Sequence, residues 1–265
     1  TDMGERKKYH RGRRKKKKGG IISTLILIIA IAVFCVSGYQ LYKIFGGYHQ
    51  GKSEYDKVRE VAVHGDDKDE DEFVVDFDEL KKINADTVGW IRFYPEPSQI
   101  SYPLVQTTDN DLYLNRTFSA NENTVGAIFV NCDNASDFSD RNTIIYGHRM
   151  RDHSMFHDLE KYKDESFWKE NPYFYIYTPD GRKLTCHIYS AGIVKDTSST
   201  YLTQFASDEE YQAFLDDTKR AGAYHTGVEV TTDQRVVTLS TCTAASDDNR
   251  MVVRGVIESE DVVKK

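Results

Sequence analysis

An apolar run near the start of the chain constrains its fold more than any other feature. Residues 21–45 are mostly Ile, Leu, Val, Ala and Phe, and the first charged residue in this run is Lys43. A helix of this length crosses a hydrocarbon core of about 30 Å. Tyr39, Tyr42 and Tyr48 lie near the end of the run, where interfacial aromatic side chains are found. The sequence therefore predicts one transmembrane helix over residues 21–45.

Charge is divided unequally between the two sides of this run. Residues 1–20 contain ten Lys or Arg and two acidic residues, a net charge of +8, whereas the rest of the chain carries −15. Because cytoplasmic flanks of membrane helices are enriched in positive charge, we expect a basic cytoplasmic tail over residues 1–20 and an extracytoplasmic location after the span. A nucleic-acid-binding patch is disfavoured by the adjoining apolar run. A cleaved signal peptide is disfavoured because the run is too long and no small-x-small site follows it.

The segment after the span, residues 46–75, is predicted to be an extracytoplasmic linker or stalk. Gly46-Gly47 and Gly51-Lys52-Ser53 predict a hinge, and residues 54–64 are expected to form a short helix. Residues 64–72 are almost entirely charged, but they lack the spaced ligands and the turn glycine of a calcium loop. We therefore interpret this run as a solvated spacer.

Eight apolar or alternating runs predict a mainly β domain over residues 76–260. Turn-forming residues separate the runs, which indicates a closed barrel or a sandwich. Helical spacing after Asp76, a plausible cap, predicts a helix, and a short helix is expected over residues 156–162. The capping-box pattern Ser207-Asp208-Glu209-Glu210 predicts another helix over residues 207–221. The strand candidates cover residues 88–91, 102–105, 125–130, 142–146, 173–178, 183–194, 235–241 and 251–257.

A cysteine and a histidine each stand where a predicted strand meets a loop. Cys242 ends the run that starts at Arg235, and His148 follows the run 142–146 through Gly147. Most cysteines in a β-rich chain are small core residues. A Cys and a His that are distant in sequence and both lie at strand ends are, however, typical of a nucleophile with its acid/base partner. Arg250 begins the next run, where a guanidinium would stabilise the oxyanion formed by thiolate attack on a carbonyl.

Three stretches together resemble the sortases, which are transpeptidases of Gram-positive bacteria. Thr238-Leu239-Ser240-Thr241-Cys242 is similar to the sortase active-site signature, and Ser240 resembles class B. Tyr146-Gly147-His148, followed by Met150, Met155, Phe156 and Leu159, is similar to the stretch around the family's histidine. Arg250-Met251-Val252-Val253 resembles the start of the family's last strand. The resemblance covers roughly residues 76–258. It implies a closed eight-stranded β-barrel with N-terminal helices and a helix inserted before the last two strands.

The same resemblance implies a function for these residues. Cys242 would attack the carbonyl of a C-terminal sorting signal in a secreted protein, and His148 would protonate the leaving amine. Arg250 would hold the signal and stabilise the oxyanion, while Ser240 and Thr241 are candidates for lining the groove. The acceptor amine would belong to a peptidoglycan precursor or, in pilus-building relatives, to a lysine of another pilin. The implied enzyme is anchored in the cell membrane by a single span, has its catalytic domain outside, and uses no metal or cofactor.

Two other interpretations stay open at this point. A different cysteine peptidase or transpeptidase would use the same dyad, although papain-like proteins place Cys on a helix before the His, and here the order is His then Cys. A non-catalytic, membrane-tethered β-domain predicts that Cys242 is buried and inert.

The other cysteines and histidines give weaker signals. Outside the span the chain has three cysteines, an odd number, and the sequence leaves open whether Cys132 and Cys186 form a disulfide. His153 and His157 have the spacing of one helix face, as in some metal sites, but no Glu stands beside either in the His-Glu-x-x-His manner. Several charged residues surround them, so the segment is interpreted as an exposed polar loop.

Overall fold

The computed structural model describes residues 19–65, 73–244, 246 and 248–263. Most of the predicted basic tail and most of the acidic run 64–72 lie outside the described residues. The chain divides into two compact units between Gly46 and Gly47.

The first helix, α1, spans Gly19–Ala62. In the part of the chain that the structure describes, it is the one helix long and apolar enough to cross a membrane, judged by length and composition. Its apolar side chains before residue 46 are exposed, including Leu25, Ile29 and Phe34. This is the pattern expected of a span whose solvent is lipid.

Both sites where a hinge was expected are helical, and the hinge at Gly51-Lys52-Ser53 is wrong because that site lies inside α1 and within the second compact unit. Glycine inside a helix costs about 1 kcal/mol relative to alanine. Gly51, however, is buried against Val125, and an added Cβ would lie 3.0 Å from a methyl group of that valine. The carbonyl of Gly47 also accepts a hydrogen bond from Asn123 Nδ2 at 2.9 Å. Tertiary packing therefore maintains the helix where local propensity favours a break, and the short helix predicted over residues 54–64 is the last part of α1.

Two short elements connect α1 to the main sheet. Strands β1 (Val63–His64) and β2 (Val74–Val75) pair in antiparallel fashion. Helix α2 (Phe77–Ile83) then begins at the predicted cap, where Asp76 Oδ1 accepts a hydrogen bond from the backbone N–H of Glu79 at 3.0 Å.

The eight predicted runs all form strands, and these strands close into one barrel. Around the barrel the strands follow the order β10-β8-β7-β3-β4-β5-β6-β9, and β9 pairs with β10 to complete the closure. The pairs β4–β5 and β6–β9 are parallel, and the remaining pairs are antiparallel. The strands are β3 (Thr87–Phe93), β4 (Ser101–Val105), β5 (Ile128–Val130), β6 (Asn142–Tyr146), β7 (Tyr173–Tyr177), β8 (Arg182–Lys195), β9 (Val236–Cys242) and β10 (Asn249–Val262).

The two helices predicted between strands are both present, although one differs in type, and α3 (Glu165–Glu170) was not predicted. The segment predicted as a short helix over residues 156–162 is a 3-10 helix, His157–Lys163, and α3 follows it. Helix α4 (Asp208–Arg220) is inserted between β8 and β9, as expected. Ser207 Oγ accepts from the N–H of Glu210, whose own carboxylate accepts from the N–H of Ala206 rather than from that of Ser207. The reciprocal hydrogen bond of the capping box therefore goes to the N–H one residue before the N-cap.

Alternation along β9 and β10 separates the barrel interior from the outer face. Val237 and Leu239 of β9, and Met251 and Val253 of β10, belong to the main hydrophobic core. Because successive strand residues point to opposite faces, Ser240, Cys242 and Arg250 lie on the outer face. These three candidate site residues therefore lie on the sheet outside a packed interior.

Candidate active site

The cysteine and the first arginine of β10 form one cross-strand pair. Strands β9 and β10 are antiparallel, and their register places Cys242 directly opposite Arg250. The second arginine of the strand, Arg254, is opposite Thr238, four residues further along each strand. Opposite residues in an antiparallel pair have Cβ atoms about 5 Å apart and point to the same side. Arg250 is thus level with the thiol, and Arg254 is not.

The histidine reaches the cysteine through the parallel pairing of β6 with β9. Tyr146 is aligned with Ser240, and the backbone N–H of Gly147 donates to the Ser240 carbonyl at 3.2 Å. His148 and Cys242 each lie two residues beyond this aligned pair. Because parallel strands run in the same direction about 4.8 Å apart, both side chains emerge at the same end of the sheet.

The ring of His148 contacts backbone groups of Leu114 and Gly126, here called the cradle. Its Nε2 is 2.7 Å from the carbonyl oxygen of Leu114. A carbonyl only accepts hydrogen bonds, so this contact places a proton on Nε2 and leaves Nδ1 as the other ring nitrogen. Gly126 packs against the ring with a φ of +65°, and a Cβ there would lie 2.7 Å from His148 Cδ2. The position therefore requires glycine, both for its backbone conformation and for its close approach.

The last part of α1 contacts the segments that form this cradle. The hydroxyl of Tyr55 donates to the Gly126 carbonyl at 2.7 Å and accepts from the N–H of Phe118 at 3.2 Å. The carboxylate of Glu54 accepts from the N–H of Ser119 at 2.9 Å. Burial raises the pKa of Tyr55, so its hydroxyl stays neutral and keeps both hydrogen bonds. Residues 47–62 thus pack on the loop that holds the histidine.

All five site residues predicted from the sequence line one open groove of about 230 Å³. Cys242 is exposed, which is the opposite of what a non-catalytic β-domain predicts. Ser240 and Thr241 are both 2% exposed, and the Ser240 hydroxyl is paired with the hydroxyl of Tyr201 at 2.9 Å. The Ser240 side chain therefore supports the wall of the groove, whereas Thr241, on the same strand face as Val237 and Leu239, points its side chain to the barrel interior.

An aromatic row in and beside the groove was not anticipated from the sequence. The rings of Phe129 and Tyr146 have centroids 5.3 Å apart, and those of Tyr146 and Tyr201 are 6.2 Å apart. Burial raises the pKa of Tyr146 to about 12 and also raises that of Tyr201. Both phenols are therefore neutral near pH 7. Tyr146 was visible beside Gly147-His148, but no sequence signal marked the lining residues Asn110 and Leu114, the second of which ends a 3-10 helix, Leu112–Leu114.

The two arginines of β10 occupy different surroundings. Arg250 is partly exposed and lies 3.7 Å from the carboxylate of Asp196. Arg254 is fully buried, and its guanidinium donates to the hydroxyls of Thr200 at 2.6 Å and Ser190 at 3.0 Å. Arg250 lines the groove, where it can reach a ligand. Arg254 instead connects β10 by hydrogen bonds to β8 and to the segment between β8 and α4.

The question of a disulfide is answered by the structure, in which Cys132 and Cys186 are free thiols. Burial strongly raises the pKa of Cys186, which is an inert core residue.

A closed β-barrel that presents an exposed cysteine, a histidine and an arginine along one groove defines a cysteine enzyme of the acyl-transfer class. Comparisons with known proteins agree with this class and identify the family within it. The profile of the sortase domain family matches residues 96–258. Sortase B of Staphylococcus aureus is 31% identical over 231 residues, which cover 87% of this chain and 93% of that protein. Sortase B of Listeria monocytogenes is 31% identical over 242 residues, covering 87% of this chain and 94% of the relative.

Solved structures show the same relationship. The Staphylococcus aureus sortase B–substrate complex matches with a TM-score of 0.64 and 35% identity, covering 71% of this chain and 85% of that one. Sortase B from B. anthracis in complex with AAEK1 matches with a TM-score of 0.69 and 32% identity, covering 84% of this chain and all of that one. The chain belongs to the sortase family, in class B, and is a cysteine transpeptidase.

Proposed function

We propose that this protein cleaves a C-terminal sorting signal in secreted proteins and joins the new acyl end to an amine of the cell wall. The observation that carries the proposal is the register of β9 with its two neighbours, which brings Cys242, Arg250 and His148 to one groove. The groove is open to solvent, as a site for an extended peptide must be.

In the first half-reaction the Cys242 thiolate attacks the scissile carbonyl of the signal. An Sγ–C bond forms, and the carbonyl oxygen becomes an oxyanion beside the Arg250 guanidinium. His148 donates a proton to the nitrogen of the leaving amine as the C–N bond breaks. The product is a thioacyl-enzyme on Cys242.

In the second half-reaction an acceptor amine attacks the thioester carbonyl. His148 takes the proton from this amine, a new amide bond forms, and the Cys242 thiolate leaves. A sortase B complexed with a glycine tripeptide is among the matching structures, which supports an acceptor that presents a primary amine. We propose the amine of a peptidoglycan precursor, and a lysine of another pilin is the alternative acceptor.

Membrane anchoring explains where these substrates meet the enzyme. We propose a cytoplasmic tail over residues 1–20, a span over 21–45 and an extracytoplasmic catalytic domain over 76–260, with the expected linker over 46–75 packed on that domain through the last part of α1. The apolar first part of α1 and the basic residues before it support this topology. Secreted proteins and lipid-linked wall precursors are both present at the outer face of the membrane.

A peptide assay with the full chain tests the reaction. Fluorogenic peptides that vary the sorting motif are mixed with the enzyme, with and without triglycine or a lysine-containing peptide as acceptor. We expect cleavage with formation of an acceptor-linked product that mass spectrometry detects. Cys242→Ala should lower turnover by at least about 10⁴-fold with an unchanged thermal midpoint, since the thiolate is indispensable. Substantial turnover by this variant, or hydrolysis with no acceptor product, would contradict the proposal.

Topology has its own test. Protease added to intact protoplasts should remove the chain after about residue 50 and leave the tail protected, as the distribution of positive charge predicts. Protection of the catalytic domain would reverse the orientation.

A further inference from the structure

Two histidines and a buried carboxylate meet in the loop that follows His148. Atoms of His153, His157 and Asp158 that are able to bind a metal all lie within 4.8 Å of one another. His153 Nδ1 is 3.3 Å from Asp158 Oδ1, and the two imidazole centroids are 4.1 Å apart. None of the three residues lines the groove of the active site.

The backbone, rather than a shared helix face, brings these residues together. His153 lies in a turn with a φ of +66°, and the 3-10 helix begins only at His157. The expectation that the two histidines share a helix face is therefore wrong. The left-handed backbone conformation at His153 changes the direction of the chain. The ring of His153 therefore faces the start of the 3-10 helix. Asp158, which the sequence pattern did not single out, completes the cluster.

The ligand atoms are chemically available to a cation. Asp158 is 3% exposed, and Lys161 occupies only its Oδ2, at 3.0 Å. Its Oδ1 faces His153. His157 Nδ1 is buried and has no hydrogen-bond partner among the described residues.

We propose that His153, His157 and Asp158 form a binding site for a divalent transition-metal cation, for which Zn²⁺ is the probe. Zinc takes His nitrogen at about 2.0–2.1 Å and carboxylate oxygen at about 2.0–2.2 Å in tetrahedral geometry, so neighbouring ligand atoms lie roughly 3.3–3.5 Å apart. The His153–Asp158 separation of 3.3 Å already meets this requirement. Rotation of the two imidazole rings brings the other ligand atoms to the same separation. Water takes the fourth coordination position, on the exposed side of His153.

The surrounding charges set the strength of the site. Lys161 lies on one face, and the charge of Arg149 is offset by Glu160 at 2.9 Å. With three ligands and a cation close by, we expect binding weaker than that of four-ligand structural zinc. The N–H of Phe156 donates to the His148 carbonyl at 2.9 Å, so a bound cation would also stiffen the loop next to the catalytic histidine.

The test uses the full chain in detergent, without an affinity tag, in a Cys242→Ala background that removes the catalytic thiol as a competing ligand. Isothermal titration with Zn²⁺ should give one site per chain, and Co²⁺ should give the visible absorption bands of a tetrahedral site. His153→Ala should weaken Zn²⁺ binding at least tenfold, the lower end of what loss of metal-site residues costs. Because the His153 side chain is 66% exposed, this variant is expected to fold normally.

His225→Ala is the matched control, since it removes another exposed histidine and should leave the affinity unchanged. Asp158→Asn should also weaken binding at least tenfold, with its folding checked by circular dichroism. Equal Zn²⁺ affinity in the parent and the His153→Ala variant, or no binding at about 1 mM Zn²⁺, would overturn the site. Because every measurement is made without the catalytic thiol, these outcomes are independent of the proposed transpeptidation.

Discussion

The two halves of the candidate active site are built in different ways. Cys242 and Arg250 face each other across adjacent strands of one hairpin, and their relative position follows from β9–β10 pairing. His148 instead depends on Leu114, Gly126 and Tyr55, which come from segments distant in sequence. The first half is a property of local register, whereas the second is a property of packing between remote parts of the chain.

This difference has a consequence for sensitivity to mutation. Sheet register is strongly specified when one face is buried, so the hairpin should tolerate changes elsewhere in the barrel. A cradle made of loop carbonyls moves when its supports move, and small displacements at a reacting group are costly. Variants far from the chemistry should therefore act through the histidine and not through the cysteine.

The sharpest test of the hairpin compares its two arginines. Arg250→Ala should lower kcat at least about a hundredfold, the scale for loss of one oxyanion donor. Arg254→Ala should instead cost about 2–4 kcal/mol of stability, because it leaves a cavity and buried hydroxyls without a partner. Steady-state kinetics and chemical denaturation of both variants distinguish the two effects. A larger loss of kcat for Arg254→Ala would mean that the register argument has assigned the wrong arginine.

The cradle is tested directly at Gly126. Gly126→Ala places a Cβ 2.7 Å from His148 Cδ2, so the ring must move, and we expect kcat to fall about thirtyfold, within the hundredfold that a 1 Å misplacement can cost. Gly227→Ala is the control. Its φ is +75°, but no atom lies within 4 Å of the added Cβ. It should therefore cost only about 1 kcal/mol of stability. Similar kcat values for the two variants would show that the His148 position does not depend on this contact.

A smaller effect is expected where α1 supports the cradle. Tyr55→Phe leaves the Gly126 carbonyl and the Phe118 N–H unsatisfied, which costs about 1–3 kcal/mol. We also expect kcat to fall on the order of tenfold, with KM nearly unchanged, because the histidine loop shifts.

Val58→Ala on the same helix provides the comparison for Tyr55→Phe. Val58 is 3% exposed in the main core, and its truncation should cost a similar 1–3 kcal/mol, roughly, without touching the cradle. Turnover per folded molecule should then stay near that of the parent enzyme. Equal losses of kcat for the two variants would assign the effect to general destabilisation.

The strands, the helix caps and the positions of the site residues at strand ends were predictable, because each depends on neighbours in the chain. Apolar or alternating runs mark all eight strands, and Asp76 and Ser207 cap their helices as the pattern predicts. The hinge at Gly51-Lys52-Ser53 was not correct. Glycine propensity describes an isolated helix, and contacts with Asn123 and Val125 override it.

The sequence by itself determined that a cysteine and a histidine end strands of a β domain that follows one apolar helix, since periodicity and turn chemistry are local properties. Only the tertiary structure decided that β6 pairs in parallel with β9, which places His148 beside Cys242, and that Tyr55 supports Gly126. It also brought Asp158 to the two histidines. These arrangements join residues far apart in the chain, and their energies depend on close packing that no local pattern encodes.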